Sequence, residues 1–307
     1  LSGPGVNTTR SYTVSWSAVA DTTGYKVEET SSGGTWVQVQ DSAATSLPRS
    51  GKNPSLPYYY RAGACNKAGC GGYSTTLAVQ PIVYGAEFVG QSVPAIVAGG
   101  RQFGVTVQMR NTGNSTWTDA DGFRLGSQNA HDNTTWGTSR IGLQGPVPPG
   151  GIATFTLTPW GPSEGWYNFQ WRMVRDGVTW FGATTPNVSI LSVTGLINAN
   201  PNPCSLYIYE SLCTANINWW SSQGGSEVLV TNIDNSYQQV FMPNTKSGSA
   251  SAPWIPTSGK RFHLKYAGIT LATVDVYAYQ TGQYPPDPDP PPGGCVPNPP
   301  HFYCVEP

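Results

Sequence analysis

Six cysteines carry the densest chemistry in this sequence: Cys65 and Cys70, Cys204 and Cys213, Cys295 and Cys304. They fall into three close pairs, well separated from one another. Thiols arranged in this way suit disulfides and an oxidising compartment. A zinc site needs C-x2-C-like clusters converging on one metal, usually with histidines. Here the intervening stretches are x4, x8 and x8, and the chain has only 3 His. No metal and no cofactor are expected. The candidate bases are His131, His263 and His301. His131 sits beside Asp132 in a polar loop and reads as part of a solvated turn. His263 points outward on a strand, and His301 lies in a proline-rich tail. None belongs to a recognisable nucleophile–base–orienter arrangement. The sequence has no nucleophile elbow, Walker-type loop, H-E-x-x-H or dinucleotide fingerprint. Its 17 acidic residues are scattered, and nothing nominates a carboxylate pair. Asp119-Ala120-Asp121-Gly122 offers two of the roughly six oxygens that calcium needs, and reads as a turn between strands. The chain is expected not to be an enzyme.

The other groups with binding chemistry are aromatic. Trp16, Trp171 and Trp219 lie on apolar faces of alternating segments and are expected in cores. Trp36 shares a face with Gln38, opposite Val37 and Val39. Trp220 is back to back with Trp219 and should face out. Trp254 follows Pro253 and is expected in a loop. Tyr277 and Tyr279 point away from the face of Ala272, Val274 and Val276. Outward aromatics on sheets cover a seam, meet a partner protein or stack on sugars. Trp36, Trp220, Trp254, Tyr277 and Tyr279 are therefore the candidate partner- or ligand-binding residues. The Asn-X-Ser/Thr sites at Asn7, Asn114, Asn133 and Asn187 are what a Ser/Thr-rich chain yields by chance.

The elements that must position these groups are strands. With 307 residues the chain has room for about three domains of roughly 100 each. Charged residues make up 11% of it, against a usual value of about 25%. It holds 36 Gly, 27 Pro, 11 Trp and 16 Tyr, a balance of turn formers and aromatics that favours all-β structure and excludes coiled coils and helical bundles. A net charge of −1 with no basic block argues against a nucleic-acid partner. No apolar run approaches the roughly 20 residues of a membrane-spanning helix, so no membrane insertion is expected. The chain starts at Leu1 without a signal segment, and reads as a mature form or a piece of something longer.

Three strand-rich modules follow one another. In the first, over 1–82, Tyr12, Val14 and Trp16 alternate with polar residues, and Gly24–Glu28 repeats the pattern. Cys65 and Cys70 bracket the turn Asn66-Lys67-Ala68-Gly69, which makes a bridge plausible. Trp16, Tyr25, Tyr58-Tyr59-Tyr60-Arg61, Ala64-Cys65-Asn66, Gly69 and Tyr73-Ser74 together resemble a fibronectin type III domain. That resemblance implies a core Trp16 and a tyrosine corner at Tyr58. In the second module, over 83–193, Phe103, Val105, Val107 and Met109 alternate with polar residues. So do Tyr167, Phe169, Trp171 and Met173, and Pro148-Pro149-Gly150-Gly151 is a turn. Trp117, Trp136, Trp171 and Trp180, with the segments around them, resemble the four-tryptophan domain of autophagy receptors and secreted bacterial proteins. This implies an Ig-like sandwich, which binds protein partners in its eukaryotic setting; no autophagy role is carried over, because the neighbouring modules do not fit one. In the third module, over 194–280, Ala215, Ile217 and Trp219 alternate, as do Phe262, Leu264 and Tyr266. Pro203-Cys204, Cys213, Ile217-Asn218-Trp219 and Pro253-Trp254-Ile255 resemble a bacterial Ig-like module.

The fold class is thus all-β: three tandem immunoglobulin-like or fibronectin-like β-sandwiches with a Pro-rich C-terminal tail. The tail, 281–307, reads as an extended stalk ending in a small Cys295–Cys304 loop. Modules of these kinds resemble those of exported bacterial surface and YD-repeat (RHS-type) proteins. The expected function is a non-catalytic extracellular structural or adhesive protein, a cell-surface scaffold or filament subunit that self-associates through sandwich surfaces and the tail. The alternative is an accessory spacer or carbohydrate-binding region of a larger secreted enzyme or RHS-type toxin, with a glycan as ligand.

Overall fold

A computed structural model of the protein describes residues 1–283 and the backbone of 295–298 and 301–304. Every regular element among these residues is a strand, and none is a helix long and apolar enough to cross a membrane. The chain packs as two compact units. One comprises Leu1–Val93, Gly104–Thr158 and Asn168–Val188; the other comprises Pro94–Phe103, Pro159–Tyr167 and the chain from Ser189 onward.

The first unit opens with a fibronectin-like sandwich. Strand Tyr12–Ser15 pairs with Ser46–Arg49. The facing sheet runs in the order Val6–Asn7, Leu77–Pro81, Tyr58–Asn66, Gly24–Ser31, Val37–Ser42. Alternation puts Val14, Val27, Leu47, Tyr60 and Val79 between the sheets, all buried. Tyr58 makes the corner contact: its hydroxyl accepts the Asn53 backbone N–H at 3.1 Å. Trp16 departs from the expected core position and is only half-buried. Its strand ends at Ser15, so the ring reaches the core from the rim, edge-on to Tyr25 at 5.8 Å. Cys65 and Cys70 oppose each other in the hairpin and are bridged, with Cα atoms 3.9 Å apart.

Between these sheets lies a polar lock. The Glu29 carboxylate accepts hydrogen bonds from Arg49 Nε at 2.9 Å, Lys52 Nζ at 2.5 Å and the Tyr60 hydroxyl at 2.6 Å. Tyr12 adds its hydroxyl to that of Tyr60 at 2.9 Å. Burial alone would raise the Glu29 pKa, but the donors Lys52, Tyr60 and Arg49 outweigh it and hold the carboxyl below its ordinary value. Burial and the bond to Glu29 push the Tyr60 phenol far upward, so it stays a donor.

The rest of the first unit centres on Val105–Asn111, which lies between Ala86–Ser92 and Ile152–Leu157. A second sheet runs Arg140–Gly142, Phe123–Ser127, Trp171–Arg175, Thr179–Thr184. Trp117, Trp136 and Trp171 are buried with Met109, Phe123, Phe155, Phe169 and Met173. The fourth matched tryptophan, Trp180, is half-buried over Gly126, where an added Cβ would come within 2.4 Å of its ring. The alternation from Tyr167 to Met173 is not one strand. It breaks at Gln170 into Gly165–Phe169 and Trp171–Arg175, which join different sheets. Gln170 fixes the break: its carbonyl accepts from the Gln128 N–H at 2.8 Å, and its side chain donates to Thr185 O at 3.0 Å. The chain entering this region at 81–84 is clamped. The Asn114 side chain donates to Pro81 O and accepts from the Val83 N–H, each at 2.8 Å, and Arg175 donates to the Tyr84 hydroxyl at 2.8 Å.

In the second unit, Leu212–Ser221 lies between Gly195–Asn200 and Ser247–Pro256. The facing sheet runs Gln239–Thr245, Ser226–Thr231, Lys260–Tyr266, Ile269–Val276. Ala215, Ile217, Trp219, Phe262 and Leu264 fill the space between, and the Cys204–Cys213 bridge is buried among them. Ile96–Ala98 runs parallel to Leu191–Val193, and Ala98, Leu191 and Val193 join the same core. Gly195 packs closely here: a Cβ would stand 2.7 Å from the Leu264 side chain and make it shift. Cys295 and Cys304 are opposed in the backbone register of a terminal hairpin. Their expected bridge, His301 as a base and the proline-rich stretch lie outside the described residues.

Candidate functional site

The residues first considered for chemistry are engaged in structural contacts. Asp132 is paired with Arg140, which keeps its carboxyl below the ordinary value, while the His131 ring stands 5.0 Å from that of Trp180. Asp132 is therefore held by a cation rather than aimed at the histidine. Burial, with Lys265 and Arg261 nearby, lowers the His263 pKa, and its Nε2 lies 3.1 Å from Thr231 Oγ1. Asp119 pairs with Arg124 at 3.3 Å, and Asp121 accepts from Thr118 Oγ1 at 2.5 Å. The Gly122 N–H closes on Asp119 O at 3.0 Å, so this segment is a turn. Among the described residues, no group of three or more His, Cys, Asp or Glu is placed to hold a metal. The four Asn-X-Ser/Thr side-chain amides all donate internally: Asn7 to Asn53 O, Asn114 to Pro81 O, Asn133 to Gln128 O and Asn187 to Asn168 Oδ1.

The five aromatic candidates are dispersed. Trp36 is half-buried in a stack within its own module. The Arg61 guanidinium lies 4.3 Å from the ring centroids of both Trp36 and Tyr73, and Glu28 anchors Arg61 at 2.6 Å. A guanidinium between two rings gains cation–π attraction on both faces, so Trp36 clasps the sheet instead of lying free. Tyr277 is half exposed beside Gly259, where a Cβ would meet its ring at 2.7 Å. Tyr279 is 61% exposed in the middle of the parallel pairing with Cys204–Leu206, opposite Ser205.

Trp220 is 40% exposed on a regular sheet face. Across the three strands of its sheet, Leu196, Trp220 and Ser247 stand in register. The next rows are Asn198, Asn218 and Ser249, then Asn200, Asn216 and Ser251. These residues alternate with the buried Ala215, Ile217 and Trp219, so they share the outer face. Asn218 donates to Asn198 Oδ1 at 3.0 Å across the strands. No residue in these rows is charged, and Leu196 is 70% exposed.

Trp254 corrects an expectation. It lies inside strand Ser247–Pro256, not in a loop. Proline has no N–H to give a ladder, and the register shift opposite Cys213–Ala215 takes up Pro253 as a bulge. Trp254 lines a cleft of about 300 Å³ with Val230, Thr231, Tyr237, Gln239 and Lys260. Its ring stacks on Phe262 at 5.8 Å and meets Phe241 edge-on at 6.0 Å.

The exposed aromatics Trp160, Trp166, Tyr209 and Tyr237, exposed by 62, 67, 88 and 67%, were not among the candidates. Trp166 shares its phase with the polar Asn168, and that alternation could have revealed it. Tyr237 sits in a polar loop where periodicity gives no signal.

No family model matches the chain, and no curated protein matches it. Among solved structures, the chicken CNTN1 FN1–FN3 domains match with a TM-score of 0.24 and 13% identity, covering 87% of this chain and 93% of that one. The ICAM-5 D1–D4 ectodomain fragment matches with a TM-score of 0.33 and 10% identity, covering 88% and 71%. Likenesses this weak define neither activity nor partner. What the strands themselves define is a class: an all-β protein of fibronectin- and Ig-like sandwiches.

Proposed function

We propose that this chain is a non-catalytic extracellular structural or adhesive protein that associates with further copies of itself through its sandwich surfaces. The observation that carries this reading is the uncharged outer face of Leu196, Trp220, Asn198, Asn218, Asn200 and Asn216. Such a face can meet its like without charge repulsion. Its amides can exchange hydrogen bonds, and Trp220 with Leu196 supplies the apolar area that association needs. The two local disulfides among the described residues support an oxidising compartment. The Pro-rich tail is a second element for reaching a neighbour. Its prolines lack N–H donors, so it would pack in an aromatic groove rather than add a full strand.

Sedimentation velocity over a concentration series tests the reading. Concentration-dependent association is expected in the parent chain, and Asn218→Lys should weaken it at least tenfold by placing like charges across the contact. A parent chain that stays monomeric throughout would overturn the proposal. Removal of residues 281–307 tests the tail separately: unchanged assembly in electron micrographs would exclude it as a contact.

A further inference from the structure

We infer that the cleft beneath Trp254 is a binding site for an acidic sugar ring, such as a uronic acid residue of a polysaccharide. A volume of about 300 Å³ lies at the small end of the roughly 300–1,000 Å³ usual for ligand clefts, so it admits one ring rather than a chain. The sugar's hydrophobic C–H face needs flat aromatic walls, its hydroxyls need amides and hydroxyls, and its carboxylate needs a cation. All three are present. Trp254 is one wall, held in place by Phe262 and Phe241. Gln239 contributes an amide, while the Thr231 hydroxyl is spent on Asn232 O at 2.8 Å and on His263 Nε2.

The second wall, Tyr237, is the more telling group. Its backbone has φ of +51°, in the left-handed region that an aromatic residue adopts only under strain. Its ring is 67% exposed, so burial does not offset that strain. The preceding turn holds it there. Asn232 N–H bonds to Ser236 O at 2.9 Å, Asn235 N–H to Asn232 O at 3.0 Å, and Ser236 N–H to Asp234 Oδ1 at 2.8 Å. Asn232 also accepts from Lys260 Nζ at 2.7 Å, which sets the ammonium 5.7 Å from the Tyr237 ring centroid. The same turn thus positions both the aromatic wall and the cation. That partner is a neutral amide, and the six lining residues include no acid, so the lysine's charge is left for a ligand. A single ammonium suits a carboxylate. A phosphate group is more often held by an arginine fork or a nest of backbone N–H groups, and neither lines this cleft.

This inference stands apart from self-association, since a monomeric chain would leave it intact. The test is calorimetric titration of the full chain at low salt with tri-galacturonate, with tri-galactose as the neutral match and a tri-glutamate peptide as the acidic non-sugar. Saturable binding of tri-galacturonate is expected, at least tenfold tighter than tri-galactose and tri-glutamate. It should quench tryptophan fluorescence and weaken about tenfold with added salt, because the ion pair is near the surface. Lys260→Met and Tyr237→Ala should each weaken it about tenfold, and Lys260→Arg should retain it. The salt series keeps the test open if a variant fails to fold. No saturable binding, equal binding of the neutral sugar, preference for the peptide, or indifference to both salt and Lys260→Met would overturn it.

Discussion

Glu29 decides most at the scale of single residues. Its carboxylate gathers one arginine, one lysine and one phenol between the sheets of the first sandwich. Removing the charge leaves Arg49 and Lys52 facing each other without an anion. Glu29→Gln is expected to destabilise this sandwich by about 3 kcal/mol, measured by denaturant unfolding. The pH dependence follows from the lowered pKa. A carboxyl depressed in the folded state contributes fully above its unfolded value of about 4.3, and the contribution is lost as pH falls through the lower folded value. Melting temperature should stay level from neutral pH down to about 5 and fall below about 4, and Glu29→Gln should flatten that acid limb. An acid limb of equal steepness in the variant would assign the loss to other carboxylates. The partners of Glu29 were not legible in the sequence. Glu29 shares the inward phase of Tyr25 and Val27, but the cations it meets there, Arg49 and Lys52, come from chain 20 or more residues away.

Among elements, the two described disulfides act differently. Each closes a short loop, with sequence separations of 5 and 9, so chain entropy assigns each about 2–3 kcal/mol. Their surroundings separate them. Cys65–Cys70 ties the tip of an exposed hairpin, whereas Cys204 and Cys213 are buried among core side chains. Replacing the latter pair with alanine also leaves unfilled core volume. Cys204→Ala with Cys213→Ala is expected to cost at least about 1 kcal/mol more than Cys65→Ala with Cys70→Ala. Hydrogen exchange should speed up across 204–206 and 278–280 in the first double variant, and only around 65–70 in the second. Equal losses in both would show that burial of the bridge adds nothing. The pairing itself was readable from cysteine spacing, as were the turns at Gly122 and Gly150. The bulge that admits Pro253 and places Trp254 in a strand was not, because a lone proline reads as a strand break until a neighbouring strand supplies the other hydrogen bonds.

For the whole molecule, low charge is the governing quantity. Only 11% of residues are charged, and the rows around Trp220 contain none. Self-association through such a surface should respond little to ionic strength, since screening acts on charges. Sedimentation between about 50 mM and 500 mM salt is expected to give the same association constant within twofold, whereas sugar binding at Lys260 should weaken over that range. A steep salt dependence of association would point to a charged contact elsewhere.

Strand phase is local, and the sequence alone determined it. Alternation fixed the inward Val14, Val107, Trp171, Ile217 and Phe262 and the outward Trp220, because successive side chains on a strand must point to opposite faces. Tyr58 as a corner residue came from a resemblance to fibronectin type III domains, not from alternation. Only the tertiary structure decided what the outward groups face. It put Trp36 against Arg61, Trp180 over Gly126 and Tyr237 beside Lys260, pairings made by strands and loops distant in the chain. Period-two patterning says which way a side chain points, and only the packing of one strand against another says what it meets there.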